Sequence, residues 1–189
     1  MIIGLTGSYC SGKDTIASYI CKKHDYEHFS LSEVIREIMR KERIEPTREN
    51  LIIFGSKLRE ENGNEVLVKK VLEKISLGGK YCITSLRHSA EVNALRERKD
   101  FVLVNVDAPQ HIRFERMQKR KRPGDPVTLE RFIELEKEES QMSGHGQQLS
   151  KTANSADIMI INDLNDMATL ECIIENLLKN IEKCSRYTI

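Results

Sequence analysis

Directly after a short apolar run at its amino terminus, the chain reads Gly7-Ser8-Tyr9-Cys10-Ser11-Gly12-Lys13. A G-x-x-x-x-G-K loop between a strand and a helix turns successive backbone N–H groups inward. The helix N-terminus stands behind them, and together they make a nest for phosphate. Three fixed letters recur by chance in about one chain in twenty of this length, so the context has to carry the reading. Here Ile2-Ile3-Gly4-Leu5-Thr6 reads as a strand, and a helix is expected from about Gly12. The backbone of Tyr9 through Lys13 would then cradle a nucleoside triphosphate. Lys13, expected to face solvent before a ligand arrives, would reach its β- and γ-phosphates. The letter after the lysine is ordinarily Ser or Thr, whose hydroxyl touches Mg²⁺. Here it is Asp14, with the hydroxyl displaced to Thr15. A carboxylate beside a triphosphate is repelled unless it faces the metal and its waters, so Asp14 and Thr15 are both candidates to orient Mg²⁺.

The rest of the chain alternates short apolar runs with helical patterns, which argues for an α/β domain with a parallel sheet. Further strands are expected at "EHFSL", "YCITSL", "FVLVNVDA" and "DIMIIN", giving five, all apolar on both sides as buried parallel strands are. Ser30 followed by Glu33 fits a capping box, opening a helix that carries Val34, Ile35, Ile38 and Met39 inward. Helices are also expected near residues 49–61 and 65–76, at "AEVNALRER", at "QHIRFERMQKRKR", over 129–141, and after the last strand. That final helix places Met167, Leu170, Ile174, Leu177 and Ile181 on one face, as core packing. The helical stretch of about residues 32–77 is longer than a crossover needs and suits a substrate-gripping region.

At 189 residues the chain is expected to form one domain, residues 1–189. Its 30 basic and 29 acidic residues leave a net charge of +1, no global reason to expect nucleic acid or membrane as partner. No apolar run approaches the roughly 18 residues a membrane span needs. The five scattered cysteines lack a C-x-x-C pair, which speaks for free thiols in a reducing cytoplasm and against zinc.

The "SGKDT" variant resembles the loop of phage-type deoxynucleoside monophosphate kinases and of some phosphomevalonate kinases. "LSEVIRE", "EPTREN", "SKLREENG", "SLRHSAEV", "APQHIRFERMQKR" and "ADIMIIND" together resemble a largely archaeal family of adenylate-kinase-related P-loop proteins, itself similar to dephospho-CoA kinases. The resemblance runs in order along nearly the whole chain. It implies a three-layer P-loop kinase fold, with ATP and Mg²⁺ serving phosphoryl transfer to a small phosphorylated acceptor. A nucleoside or deoxynucleoside monophosphate is the acceptor it favours. A dephospho-CoA kinase-like activity and a slow ATP-hydrolysing switch are the alternatives.

The resemblance also assigns roles. Arg36, one turn into the helix after "SLS", and Arg87, just past the strand "YCITSL", would grip the acceptor phosphate. Arg59 and Arg48 in the helical stretch are further candidates, with a solvated surface arginine as the rival reading. About residues 113–127 form a lid, in which Arg116, Arg120 and Arg122 close over the transferring group. The rival readings are a basic nucleic-acid patch, and a helix paired with the acidic helix that follows. Asn162, in the Asn162-Asp163 turn, would lie where the adenine rests, or the turn would merely cap the final helix. Two expected charges are missing: Thr84 stands where the family has an Asp, and Leu135 or Glu134 stands where many monophosphate kinases have an arginine, with Arg131 out of phase. Glu91 or Asp107 could substitute for the strand-end carboxylate.

Overall fold

The computed structural model describes residues 1–121, 125–141, 144, 146–164 and 166–185. Its first strand, β1 (Ile2–Thr6), is fully buried and occupies the middle of the sheet. The phosphate-type loop joins it to α1 (Lys13–His24). There follow β2 (Glu27–Ser30), α2 (Leu31–Lys41), α3 (Arg48–Asn62), α4 (Val66–Leu72), β3 (Tyr81–Thr84) and α5 (Ser89–Arg96). Then come β4 (Phe101–Asp107), α6 (Gln110–Arg120), α7 (Leu129–Gln141), α8 (Leu149–Asn154), β5 (Ile158–Ile161) and α9 (Met167–Ser185). The five strands run parallel in the order β2-β3-β1-β4-β5.

This order places both neighbours of the loop strand where the motif needs them. Leu5 pairs with Thr84 on one side and Thr6 with Asn105 on the other, so the ends of β3 and β4 flank the root of the loop. Alternation along β1 feeds two cores. Ile3 and Leu5 pack with Ile16 and Ile20 of α1 and Ile174 and Leu178 of α9. Ile2 packs on the opposite face with Ile35, Leu67 and Leu95 from α2, α4 and α5. The result is a sheet between two helical layers.

Several expectations needed correction. Ser30 does stand at the start of α2, but its side chain makes no cap. Its hydroxyl meets Ser32 instead, while the Glu33 carboxylate is taken by Arg36 and Arg40. The edge strand β5 is not buried on both sides: its Met159 and Ile161 are 63% and 50% exposed. Met167 is 50% exposed, leaving Leu170, Ile174, Leu177 and Ile181 as the buried stripe of α9. The polar stretch before β5 contains the short helix α8, which its Gly, Gln and Ser content conceals.

Candidate active site

The loop is shaped by two positions that exclude a side chain. Gly7 has φ 129°, and a Cβ there would lie 2.0 Å from the carbonyl oxygen of Val106. Gly12 has φ 101°, stands at the N-cap of α1, and would meet Asn162 Nδ2 at 2.3 Å. Both conformations suit glycine for steric reasons. Between them Cys10 also adopts a left-handed conformation, φ 59°.

Lys13 does not face solvent, contrary to expectation. It is half-buried, and its ammonium folds back to donate to the carbonyls of Gly7 (2.9 Å) and Ser8 and to Ser11 Oγ (3.2 Å). Desolvation, with the nearby Arg87 charge adding to it, pushes its pKa down to about 8. The loop is thus wrapped around its own cation. Asp14 and Thr15, by contrast, are exposed on the first turn of α1 and line the cavity.

Asn162, at the end of β5, donates from Nδ2 to the Ser11 carbonyl at 2.8 Å, so its buried side chain is a strut against the loop. The capping role falls to Asp166, which accepts from the backbone N–H groups of Ala168 and Thr169. Arg116 of α6 reaches the same strut, donating to the Leu164 carbonyl at 3.0 Å and to Asn162 Oδ1 at 3.4 Å. Arg120 packs on the Tyr9 ring (4.8 Å to the centroid) and donates to Asp125 and to Tyr9 Oη. The Tyr9 hydroxyl donates to Asp125 at 2.7 Å, and Arg48 of α3 lies 4.0 Å from the ring centroid. One loop tyrosine therefore touches both α6 and α3. Arg113 donates to the Ala108 carbonyl and to Glu136 of the acidic helix α7, and its guanidinium also reaches the Tyr9 carbonyl at 3.5 Å. Arg131 is exposed and paired with Glu134 and Glu138, so α7 sends it nowhere near the loop. Arg122 lies outside the described residues.

Across the cavity, Arg36 donates to Ser32 Oγ at 3.0 Å and Arg87 to Gln147 Oε1 at 2.7 Å. Ser30, Ser32 and Ser85 share hydroxyl contacts at the ends of β2 and β3, with Ser85 held at φ 65°. Arg59 lines this side, but its guanidinium is already engaged: Nε and Nη2 both donate to Glu91 Oε1, at 3.1 and 2.8 Å, in a pair 3% and 0% exposed. Glu91 Oε2 accepts from the N–H groups of Arg87 and His88 at 2.9 and 3.0 Å. Glu91 is therefore a structural anchor rather than a stand-in for the strand-end carboxylate. Asp107 lies 3.8 Å from Arg113. Thr84 is buried, and its hydroxyl meets His28 Nε2 at 2.9 Å. His28 and Gln147 went unnoticed in the sequence because neither belongs to a spaced motif.

The loop residues Tyr9 to Lys13 and the groups facing them open into one cavity of about 1160 Å³, to which Lys13, Arg36, Arg48, Arg59, Arg87, Arg116 and Arg120 contribute cations, while the buried Thr84 and Glu91 are not part of its wall. Among the described residues no cluster of three or more His, Cys, Asp or Glu side chains could cage a metal. Mg²⁺ does not need one, since it is usually held by one or two protein oxygens together with substrate phosphates. Asp14 and Thr15 offer such oxygens beside the loop, so the donor set fits.

The AAA domain family model matches residues 3–143. UPF0200 protein MJ1399 of Methanocaldococcus jannaschii is 32% identical, the match covering 99% of this chain and 95% of the relative. The chain belongs to the UPF0200 family. A UPF0200 protein of Hyperthermus butylicus is likewise 32% identical, over 87% of each chain. Among solved structures, TT1252 from Thermus thermophilus superposes with a TM-score of 0.64 at 18% identity, covering 100% of this chain and 98% of its own. A shikimate kinase from Bacteroides thetaiotaomicron gives 0.61 at 16% identity, covering 96% and 98%. At such identity these likenesses speak to the fold, and the fold of this UPF0200 chain is that of P-loop kinases. No helix among the described residues is long and apolar enough to cross a membrane.

Proposed function

We propose that the protein transfers the γ-phosphoryl group of ATP to a small phosphorylated acceptor, a nucleoside or deoxynucleoside monophosphate being the best fit. One observation carries this reading: the phosphate-type loop, the lid arginines Arg116 and Arg120, and the acceptor-side arginines Arg36 and Arg87 all line a single cavity. Phosphoryl transfer asks for positioning and charge neutralisation more than covalent chemistry. The loop backbone holds the donor phosphates, and Lys13 leaves its carbonyl partners to neutralise them. Mg²⁺, held at Asp14 or Thr15, would neutralise charge on the β- and γ-phosphates. Arg36 and Arg87 position the acceptor anion, while Arg116 and Arg120 stabilise the charge of the transferring group and exclude water. Asn162 braces the loop and lies beside the expected adenine position.

A monophosphate acceptor is itself the anionic nucleophile and needs no general base. A sugar hydroxyl, as in dephospho-CoA, benefits from one. Thr84 puts a hydroxyl rather than a carboxylate at the end of β3, and Glu91 is committed to Arg59, which favours the monophosphate. The Tyr9 contacts to Arg48 and Arg120 favour a second reading, a nucleotide switch whose lid is latched to the loop.

Acceptor dependence separates the two. ADP formation from Mg-ATP is measured against ribo- and deoxyribonucleoside monophosphates and dephospho-CoA. Stimulation by one monophosphate to about 1–100 s⁻¹ is expected. A flat panel with slow background hydrolysis would sink the kinase reading and leave the switch.

A further inference from the structure

Between Gly7 and Lys13 every loop residue but one is small, and the exception is Tyr9. Its half-buried side chain is where several distant groups converge. Arg48 lies 4.0 Å and Arg120 4.8 Å from its ring centroid, and the ring of Phe132 in α7 stands 6.5 Å away, centroid to centroid. The Tyr9 hydroxyl donates to Asp125 at 2.7 Å, and Arg120 donates to the same carboxylate, which offsets part of the charge gathered on one ring. Tyr9, Arg48, Arg120 and Asp125 all line the cavity.

The two arginines arrive from different elements. Arg48 is the first residue of α3, directly after the Thr47 cap, and Arg120 is the last residue of α6. A helix dipole disfavours a cation in the first turn, so α3 itself gives no reason for Arg48. An aromatic face attracts a guanidinium. Such stacking engages the face of the cation, whereas its hydrogen bonds to an anion are made from the N–H edge. Tyr9 belongs to the loop read as the holder of the donor phosphates. A cation seated on it therefore stands where the donor and acceptor sides of the cavity meet.

We propose that Tyr9 is a positioning residue, and that the Arg48 it seats beside Arg120 is a further catalytic cation on the transferring phosphoryl group. The proposal rests on the kinase reading above. It adds to that reading a cation from the acceptor-side helices and the side chain that aims it. It also opposes the reading of Tyr9 as a latch. A latch keeps the arginines from the phosphates, so removing the ring would release them. A seat holds them to their task, so removing the ring costs rate.

The test measures kcat, acceptor KM and the affinity for a non-hydrolysable ATP analogue in four variants beside the wild type. Tyr9→Leu keeps apolar bulk on the loop and should lower kcat about tenfold, with analogue affinity nearly unchanged. Tyr9→Phe keeps the ring and should recover most of that loss. Arg48→Ala should lower kcat by about 10²-fold, as loss of one transition-state donor does elsewhere. In the double variant Tyr9→Leu/Arg48→Ala the loss should fall well short of the product of the single losses, because both act through one cation. Losses that multiply, or a faster Tyr9→Leu, overturn the positioning role and leave the kinase reading standing. Should Tyr9→Leu fail to fold, Arg48→Ala decides alone, and an unchanged kcat in it overturns the proposal. A wild type that no monophosphate stimulates overturns the kinase reading, and this proposal with it.

Discussion

The loop side of the cavity is built from main chain, and the helical side from side chains. On the loop side, Gly7 and Gly12 fix the path, and main-chain carbonyls of Gly7 and Ser8 hold the one lysine. On the helical side, the cavity is lined by arginines whose directions are set by partners elsewhere: Ser32 for Arg36, Gln147 for Arg87, Glu91 for Arg59. A main-chain site is fixed once its dihedral angles are. A side-chain site is only as fixed as the network behind it, and here the network reaches its deepest point in the buried Arg59–Glu91 pair. The loop should therefore resist single substitutions behind it, and the helical side should not.

The largest expected effect tests that difference. Arg59→Leu leaves Glu91 buried without its cation, and breaking a buried pair in this way costs about 3–5 kcal/mol. Because Glu91 also holds the N–H groups of Arg87 and His88, the loss should carry into acceptor binding. Denaturant titration should show the destabilisation. If Arg59→Leu unfolds like the wild type, the acceptor side does not hang on this pair, and the contrast with the loop is wrong.

Next in size are the substitutions that touch ligand directly. Lys13→Ala removes a cation from the donor phosphates and should lower turnover by about 10²–10³-fold, as loss of one such stabilising donor does elsewhere. Its melting temperature should fall little or even rise, since a half-buried ammonium goes with it. Arg36→Ala should instead raise the acceptor KM with nucleotide affinity unchanged. A single turnover assay with each substrate varied in turn separates these patterns. Equal effects of both variants on nucleotide affinity would erase the boundary between the two sides.

The same contrast explains what could be read in the sequence. The loop is local: strand, glycine spacing, lysine and the start of the helix all fall within residues 2–13, and each obeys its own steric rule. The five strands and their succession were legible through periodicity, while Arg36 and Arg87 were singled out by the family resemblance rather than by any period. What stayed hidden joins distant parts of the chain. Arg59 and Glu91 are 32 residues apart, and Asn162 braces Ser11 from 151 residues away. No spacing announces either. The capping box at Ser30 had the right letters, but Arg36 and Arg40 compete for Glu33 and the other serines for Ser30. The box that does form begins at His88, a residue type rarely sought at a helix start. The lysine's inward turn also could not be read, since it depends on the curvature of the loop around it.

That inward turn makes the smallest prediction and the most specific one. In the free protein Lys13 gives up its proton near pH 8, because its ammonium is desolvated in the loop and repelled by Arg87. The fold therefore carries a penalty for this charge below about 8, relieved as pH rises towards the ordinary value of 10.5. Bound triphosphate reverses the preference, since it stabilises the ammonium and raises its pKa. Between the free and bound values, nucleotide binding must take up a proton. Affinity should be insensitive to Lys13 below pH 8 and fall about tenfold per pH unit above it, until the value of the complex is reached. Calorimetry at pH 9 in two buffers of different ionisation enthalpy should show uptake approaching one proton per nucleotide, absent in Lys13→Met. If the wild type binds at pH 9 without proton uptake, Lys13 is already charged in the free loop. The loop would then be an open cradle rather than one closed around its own cation.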